Sequence, residues 1–377
     1  MAKRAHGEGT ISKRQDGTYE GKISLGVNAE GKRKRKTVYG KTQKEVRAKI
    51  DEVKQQLANG TFSDTRLKVK SYLEQWLKEK ARQVKPRTAE AYKYNVEKYV
   101  IPKIGGVQLA KLTPLHVQTM CSDVATVSGP RTANMCRTIL FSAMKQALRW
   151  GLIPRNPVEG VDPMKEHKQE MHLWTSAEAV TFLDTARSHR LYALFYLAMS
   201  TGMRRGELLG LRWQDVKGGA LHIRQSLTVV SNQIAISVPK TEKGKRRVAV
   251  SPDVETELET HRKRQESERQ VLGNLWPEND LVFRTEVGTP IHPRNLERTW
   301  YTLQKSAKVT KVRLHDLRHL HASLAIQQGM DAKVLADRLG HSRASLTLDV
   351  YTHLFDEQRA NSAVSLSVLL GGNEPKN

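Results

Sequence analysis

The pattern of hydrophobic and polar positions divides the chain into a short β-rich module, an all-helical stretch and a mixed region of helices and strands. Within residues 1–60, alternating positions and turn residues predict three strands, which fall at 9–13, 18–25 and 33–39. Thr42 is followed three residues later by Glu45, the spacing of a capping box, so a helix is expected to begin there and to end at residues 59–60.

A linker at about 61–68 leads to a region that is expected to be entirely helical. Its first helix, 71–82, has apolar residues at helical spacing. Thr88 is the predicted N-cap of the second helix, which Pro102 and the glycines at 105–106 should break. Further helices are predicted to begin at Pro114 and at Pro130, and the stretch 161–171 to be a second linker.

The last region contains segments with helical spacing of apolar residues and segments that alternate like strands. Thr175 and Glu178 form a second capping box, and an apolar helix is predicted at 191–200. Strands are predicted at 221–223, 225–230, 234–238 and 246–250, with 239–245 as a hairpin tip. Helices are predicted to begin at Pro252 and Pro293, and to cover 315–328, 331–339 and 361–370. The expected domains are 1–60, 67–160 and 172–360, followed by a C-terminal helix and tail at 361–377.

Composition adds an electrostatic argument to this layout. The chain has 377 residues and a formal net charge of +24, for which nucleic acid is the natural polyanionic partner. A polybasic protein bound to membranes is the competing interpretation, but we find no apolar run of spanning length, no lipidation signal and no signal peptide. The two cysteines make neither a metal motif nor a disulfide framework. We therefore expect a soluble protein of a reducing compartment that contains DNA.

Part of this charge is concentrated in the first module, which has 15 basic and 7 acidic residues, a net +8. Five consecutive cations lie at its third predicted strand: Lys32, Arg33, Lys34, Arg35 and Lys36. Such runs are usually solvated turns, and that interpretation stays open. We favour contact with DNA because the run lies in a strand rather than in a tail.

Candidate chemistry is concentrated between Leu314 and Phe355. His315 and Arg318 are three residues apart on a predicted helix, so both side chains lie on one face. His341 directly follows the next helix, and Tyr351 lies ten residues further on. An arginine, two histidines and a tyrosine suit the attack of a phenol on a phosphodiester, with cations stabilising the phosphoryl charge.

These motifs, H-x-x-R, then L-G-H, then a tyrosine, resemble the C-terminal signature of the tyrosine recombinase (phage integrase) family. The family's other box is similar to residues 201–207, Thr-Gly-Met-Arg-Arg-Gly-Glu. The resemblance covers about residues 174–355 with specific motifs and the N-terminal half only in general layout. It implies a multidomain fold, with a three-stranded arm-type module, a helical core-binding domain and a mainly helical α+β catalytic domain.

The resemblance also implies a role for each motif residue. Arg204 and Arg318 would hold the phosphate, for which a planar guanidinium is well suited. His315 would carry the proton of the tyrosine, because imidazole titrates near neutral pH. His341 would donate a hydrogen bond to the phosphate. Tyr351 would attack the phosphorus, form a 3′-phosphotyrosine and release a 5′-hydroxyl.

Other positions leave alternatives open. Arg205 competes with Arg204 for the same role, and the register of the box favours Arg204. Glu207 is either an orienting partner for Arg204 or for a histidine, or a structural ion pair. Lys240 resembles the family's general acid for the leaving oxygen, although Lys243 and Lys245 share its loop. His319 and His321 belong to no motif, and we assign them no chemistry.

The partners follow from the same resemblance. We expect double-stranded DNA at core and arm sites, a homotetramer on DNA, and an excisionase and a DNA-bending host protein as further partners. We expect no cofactor and no metal, and a location in the bacterial cytoplasm near the nucleoid. Candidate phosphate contacts in the helical domain are Lys85, Arg87 and Arg131. Two alternatives remain, a type IB topoisomerase and a DNA-binding regulator without catalysis.

Overall fold

The computed structural model describes residues 10–27, 33–58, 66–166, 172–238 and 244–340. The chain forms two compact units, Met1–Lys168 and Gln169–Asn377. The first contains a small β module and a helical bundle, and the second is a larger mixture of helices and short strands. This confirms the predicted fold class.

The N-terminal module is an antiparallel sheet covered by one helix. Its strands are β1 (Thr10–Lys13), β2 (Tyr19–Val27) and β3 (Arg33–Gly40), in the order β1-β2-β3. The helix α1 (Gln43–Ala58) packs on the sheet through a small apolar cluster made by Ile23, Val46, Ile50 and Val53. One of the two hydrogen bonds of the predicted capping box is present: Thr42 accepts from the Glu45 N–H at 3.1 Å. The Glu45 carboxylate accepts from the Lys41 N–H at 2.9 Å, one residue before the expected Thr42 N–H.

The helical part of the first unit surrounds a separate core. Its helices are α2 (Val69–Ala81), α3 (Pro86–Asn95), α4 (Ile101–Ile104), α5 (Pro114–Ser128) and α6 (Pro130–Arg149). The apolar positions predicted for α2 lie in this core: Tyr72, Leu73 and Trp76 are buried, and Leu77 packs against them. The Tyr72 hydroxyl donates to the Ala143 carbonyl on α6 at 2.5 Å, so this polar atom is also satisfied.

Two predictions about α3 were wrong. Lys85, not Thr88, is its N-cap residue, because Pro86 occupies the first helical position, where its fixed φ and missing N–H are tolerated. Pro102 does not break the helix, which ends instead at Gly105, one of the two glycines that were also predicted to break it. A π-turn at Val96–Val100, in which the Ile101 N–H reaches the Val96 carbonyl, carries the helical path past the proline into α4.

The predicted second linker begins as part of the helical bundle. Asn134 on α6 accepts from the Met164 N–H at 2.8 Å and donates to the Met164 carbonyl at 2.9 Å. Arg137 donates to the Val161 carbonyl at 2.6 Å, so this arginine has a structural contact. Residues 161–166 therefore belong to the first unit and pack against its helix α6.

The second unit is mainly helical. Its helices are α7 (Ser176–Ala186), α8 (Tyr192–Thr201), α9 (Arg205–Leu209), α10 (Pro252–Leu272), α11 (Pro293–Ala307), α12 (Asp316–Gln327) and α13 (Ala332–Leu339). Trp300 on α11 lies at the centre of the core, with the Phe182 ring 4.7 Å and the Trp174 ring 5.1 Å away between centroids. The capping box of Thr175 and Glu178 is present at the start of α7, as predicted.

The four strands of this unit form two separate pairs. They are β4 (Ala220–Ile223), β5 (Ser226–Val230), β6 (Gln233–Ser237) and β7 (Arg246–Ala249), and β4 pairs with β7 while β5 pairs with β6. Among the described residues, β6 and β7 therefore pair with other strands and not with each other. Most of the hairpin tip predicted at 239–245 lies outside the described residues. The hairpin turn lies at Ser231 and Asn232, which both have positive φ, as a tight two-residue turn requires.

Among the residues described here, no helix has the length and apolar character needed to cross a bilayer. The helix predicted at 361–370 lies outside the described residues.

Candidate active site

The site begins at a sharp turn between α8 and α9. Gly202 ends α8 in the left-handed region, with φ +62°. Arg204 then adopts an extended backbone and caps α9, where its N–H donates to Glu207 at 2.9 Å. The Arg204 guanidinium donates to the same carboxylate, also at 2.9 Å. The turn thus fixes both ends of Arg204 while 41% of its side chain stays exposed.

Glu207 is buried between two arginines. Arg246 on β7 faces it with two parallel hydrogen bonds, of 3.0 Å and 2.8 Å. Burial alone would raise the pKa of Glu207, but the hydrogen bonds and charge of Arg246, together with Arg204, hold that pKa below its usual value. Glu207 is therefore ionised at neutral pH, and its side-chain partners among the described residues are arginines.

Three arginines converge on the C-terminal end of α13, where the last carbonyls of a helix have no partner within it. Arg246 donates to the Arg338 carbonyl at 2.7 Å, and Arg318 donates to the Leu339 carbonyl at 2.7 Å. Arg204 donates to the Gly340 carbonyl at 3.3 Å. These contacts bring both predicted clamp arginines to one helix end, immediately before residue 341.

The start of α12 supplies the remaining groups. His315 is the residue before α12, and Arg318 lies in its first turn, where it also donates to the Gly202 carbonyl at 2.9 Å. Burial, followed by the positive charges of Arg318 and Arg204, lowers the pKa of His315 below its usual value. The imidazole is therefore neutral near pH 7 and can accept a proton.

His321 belongs to the packing around this site. Its Nδ1 lies 2.9 Å from the Met199 carbonyl, and Arg338 donates to its Nε2 at 3.3 Å. Together these contacts assign the proton to Nδ1 and keep the ring neutral. Burial and the charge of Arg338 lower the pKa of His321 to about 4. The side chain connects α12 with α8 and α13.

Arg205 lies next to Arg204 but points to another partner. It pairs with Glu297 on α11, whereas Glu207 pairs with Arg204 and Arg246. Only Arg204 of the two reaches the α13 carbonyls in the described contacts. The geometry therefore separates the two candidates that the sequence left as rivals.

Arg246 is the site residue that the motif search missed. The sequence signal for it is the strand predicted at 246–250, in which Arg246 lies on the same face as Val248 and Val250. The structure buries Val248 and leaves Arg247 and Ala249 exposed, so this face is directed to the core. A charged residue at such a position needs a charged partner, which Glu207 provides.

Several of the other predicted residues lie outside the part of the chain that the structure describes. Lys240, His341, Tyr351 and Lys32 lie outside the described residues, as do the side chains of Arg33 and Lys34. Lys245 is exposed at the start of β7. Arg35 is exposed and Lys36 half-buried on β3.

The cations of the helical bundle are at its surface. Lys85 and Arg131 are exposed. Arg87, which is exposed, pairs with the half-buried Glu90 at 2.9 Å, an interaction that solvent screens. In the described part of the chain, no group of histidine, cysteine and carboxylate side chains could hold a metal ion.

The chain is similar to known proteins in sequence and in fold. Residues 172–358 match the phage integrase family, and residues 68–123 match the N-terminal SAM-like domain of phage integrases. A tyrosine recombinase XerC-like protein of Caldanaerobacter subterraneus subsp. tengcongensis is 28% identical, with 93% of this chain and 96% of the relative covered.

Two solved structures share the fold. The integrase of the Tn1549 transposon, in complex with circular-intermediate DNA, aligns with a TM-score of 0.67 at 19% identity, over 78% of this chain and 98% of that one. A lambda integrase tetramer bound to a Holliday junction aligns with a TM-score of 0.58 at 19% identity, over 89% and 96%.

Proposed function

This chain belongs to the phage integrase family, and from that premise we propose that its second unit cuts and rejoins DNA through a covalent bond to Tyr351. The protein is a site-specific tyrosine recombinase of a mobile element. The observation that supports this mechanism best is the convergence of Arg204 and Arg318 on one helix end, with His315 beside them. Phosphoryl transfer requires mainly positioned positive charge, which this cluster provides.

Each residue has a distinct part in the proposed reaction. The Tyr351 oxygen attacks the phosphorus, and its proton passes to the neutral imidazole of His315. Arg204 and Arg318 stabilise the charge on the non-bridging oxygens, with a hydrogen bond from His341. Lys240 protonates the leaving 5′ oxygen, and the tyrosyl phosphodiester stores the bond energy for rejoining.

Contacts of the described residues support the roles proposed for the arginines. Glu207 fixes the Arg204 guanidinium with a hydrogen bond of 2.9 Å, so the arginine is oriented before substrate arrives. The Leu339 and Gly340 carbonyls accept hydrogen bonds from Arg318 and Arg204. These bonds fix the end of α13, which directly precedes His341 in the sequence.

The partners are proposed on the same basis. Double-stranded DNA is the substrate, and four copies of the chain assemble on two DNA segments, as in the tetramer that lambda integrase forms on a Holliday junction. The N-terminal module, with Arg35 exposed on β3, binds arm sites. An excisionase and a DNA-bending host protein act with it, in the bacterial cytoplasm near the nucleoid.

The test is covalent trapping on DNA that carries the direct repeat bounding the element in its host genome. Wild-type protein should form an adduct that survives denaturant, with or without EDTA. Tyr351→Phe removes one oxygen and should bind the same DNA without forming the adduct. Tyr301→Phe, which removes a phenol from the exposed side of α11, is the matched control and should keep the wild-type adduct yield. An adduct with Tyr351→Phe, or a strict need for metal, would contradict the proposal.

A further inference from the structure

Arg246 combines deep burial with an unusual set of partners. Its side chain and that of Glu207 are each 6% exposed, and the two are joined by paired hydrogen bonds. The Arg246 Nε–H donates to the Arg338 carbonyl at the end of α13. One side chain on β7 therefore contacts both the carboxylate that holds Arg204 and the helix that leads to residue 341.

The charges around Glu207 do not balance in a simple pair. One carboxylate faces two guanidinium groups, those of the buried Arg246 and of the far more exposed Arg204. Because Arg246 lies in the less solvated position, where charges interact more strongly, it compensates most of the carboxylate charge. Most of the positive charge of Arg204 is then not offset by the carboxylate and is available on the exposed side.

Without Arg246, the carboxylate would have only Arg204 as a partner. The negative charge of a buried carboxylate needs a positive partner, so Glu207 would draw the Arg204 guanidinium inward. The carboxylate would then offset the positive charge of Arg204. The Arg204 guanidinium would then face the protein interior and not a bound phosphate. The loss would fall on a residue that Arg246 does not touch in the described contacts.

We propose that Arg246 is a positioning residue. Its charge compensates that of the Glu207 carboxylate, so that the positive charge of Arg204 remains available to the scissile phosphate. This inference rests on the role proposed above for Arg204. Arg246 acts through the carboxylate and needs no contact with DNA.

The test compares two DNA substrates in single-turnover cleavage at saturating protein. One has the ordinary phosphodiester at the cleavage site. The other has a methylphosphonate there, in which a methyl group replaces one non-bridging oxygen and removes the negative charge. On ordinary DNA, Arg246→Met should slow cleavage by about 10- to 100-fold while DNA affinity changes by less than about threefold, because the loss acts in the transition state. Arg246→Lys should recover part of the rate.

On methylphosphonate DNA, the deficit of Arg246→Met relative to wild type should shrink to within about threefold, since little charge remains for Arg204 to stabilise. Arg204→Ala should show the same pattern, and Arg247→Met, on the exposed side of the same strand, should match wild type on both substrates. An equal deficit of Arg246→Met on both substrates, with Arg204→Ala relieved, would overturn the inference and leave the proposed function intact. If Arg204→Ala is not relieved either, the clamp role itself is wrong.

A second pair of variants keeps the inference testable if Arg246→Met does not fold. With glutamine at position 207 there is no carboxylate to balance, so Glu207→Gln and the double variant Glu207→Gln/Arg246→Met should cleave at rates within about threefold of each other. A double variant that is more than tenfold slower than Glu207→Gln would overturn the inference.

Discussion

Replacing Gly202 by alanine should damage the site through one methyl group. Gly202 has φ +62°, and a Cβ there would lie 2.7 Å from Leu339 Cδ2 and 2.9 Å from His321 Cδ2. Ordinary carbon contacts are about 3.5–4.0 Å, so the Leu339 and His321 side chains would have to move by close to an ångström. Both side chains are buried, and His321 is hydrogen-bonded at each ring nitrogen, so part of this shift is passed on to α12 and α13. The same shift would displace the Leu339 carbonyl, to which Arg318 donates.

The structure also offers a control for the backbone part of this effect. Gly329 has φ +83° in the same unit, but a Cβ there would meet nothing within 4 Å. Gly329→Ala should therefore cost only the left-handed conformation, about 1 kcal/mol. Gly202→Ala should cost that amount plus about 1–3 kcal/mol for overpacking.

Urea unfolding of both variants would measure the difference in free energy of unfolding. Cleavage should be compared at a temperature where both are folded. There, Gly202→Ala should be about 10²-fold slower, because small displacements of catalytic groups have large effects on rate. Gly329→Ala should stay within about threefold of wild type. Equal stability and equal rates for the two variants would refute the close packing of Gly202 against α12 and α13.

Three further outcomes are expected. Lys240→Ala should slow cleavage of ordinary DNA by about 10²–10⁴-fold, and sulfur in place of the bridging 5′ oxygen should restore most of that rate; rescue seen instead with Lys243→Ala would move the general acid to that residue. Deleting residues 1–60 should leave cleavage at a core site but weaken recombination that depends on arm sites, and the isolated module should bind DNA with a steep salt dependence, unless it takes no part in DNA binding. Because the pKa of His321 is lowered to about 4, the unfolded chain takes up a proton first as the pH falls below about 6.5. The ring should therefore cost about 2 kcal/mol of stability between pH 7 and pH 5, and His321→Gln should show a weaker pH dependence in urea unfolding; an unchanged slope would mean that the ring is solvated.

Local signals in the sequence were sufficient for most helices and strands. The capping box at Thr175 and the glycine after Leu339 act through hydrogen bonds and backbone conformations within a few residues, so their effect can be predicted without knowing the fold. The motif spacing likewise selected Arg204, His315 and Arg318, three residues that the structure brings to one helix end or beside it. Their catalytic roles remain predictions from the resemblance.

Strand pairing could not be predicted in the same way. The sequence marks β6 and β7 as neighbours along the chain, and a hairpin between them is the simplest connection. The structure pairs β7 with β4 and β6 with β5, because pairing depends on which edges meet when the sheets pack on the helices. The path of the helix past Pro102 was also decided beyond local preference, by a π-turn that packs Val96 and Val100 in the core.

The electrostatic design of the site was decided only by tertiary structure. Glu207 and Arg246 are 39 residues apart and belong to α9 and β7. Their charges interact strongly because folding buries both, and burial cannot be read from the spacing of a motif. The sequence alone determined which residue types are available for phosphoryl transfer, whereas the packing of α8, α12 and α13 determined which arginine faces outward and which one is held inside to compensate a buried carboxylate.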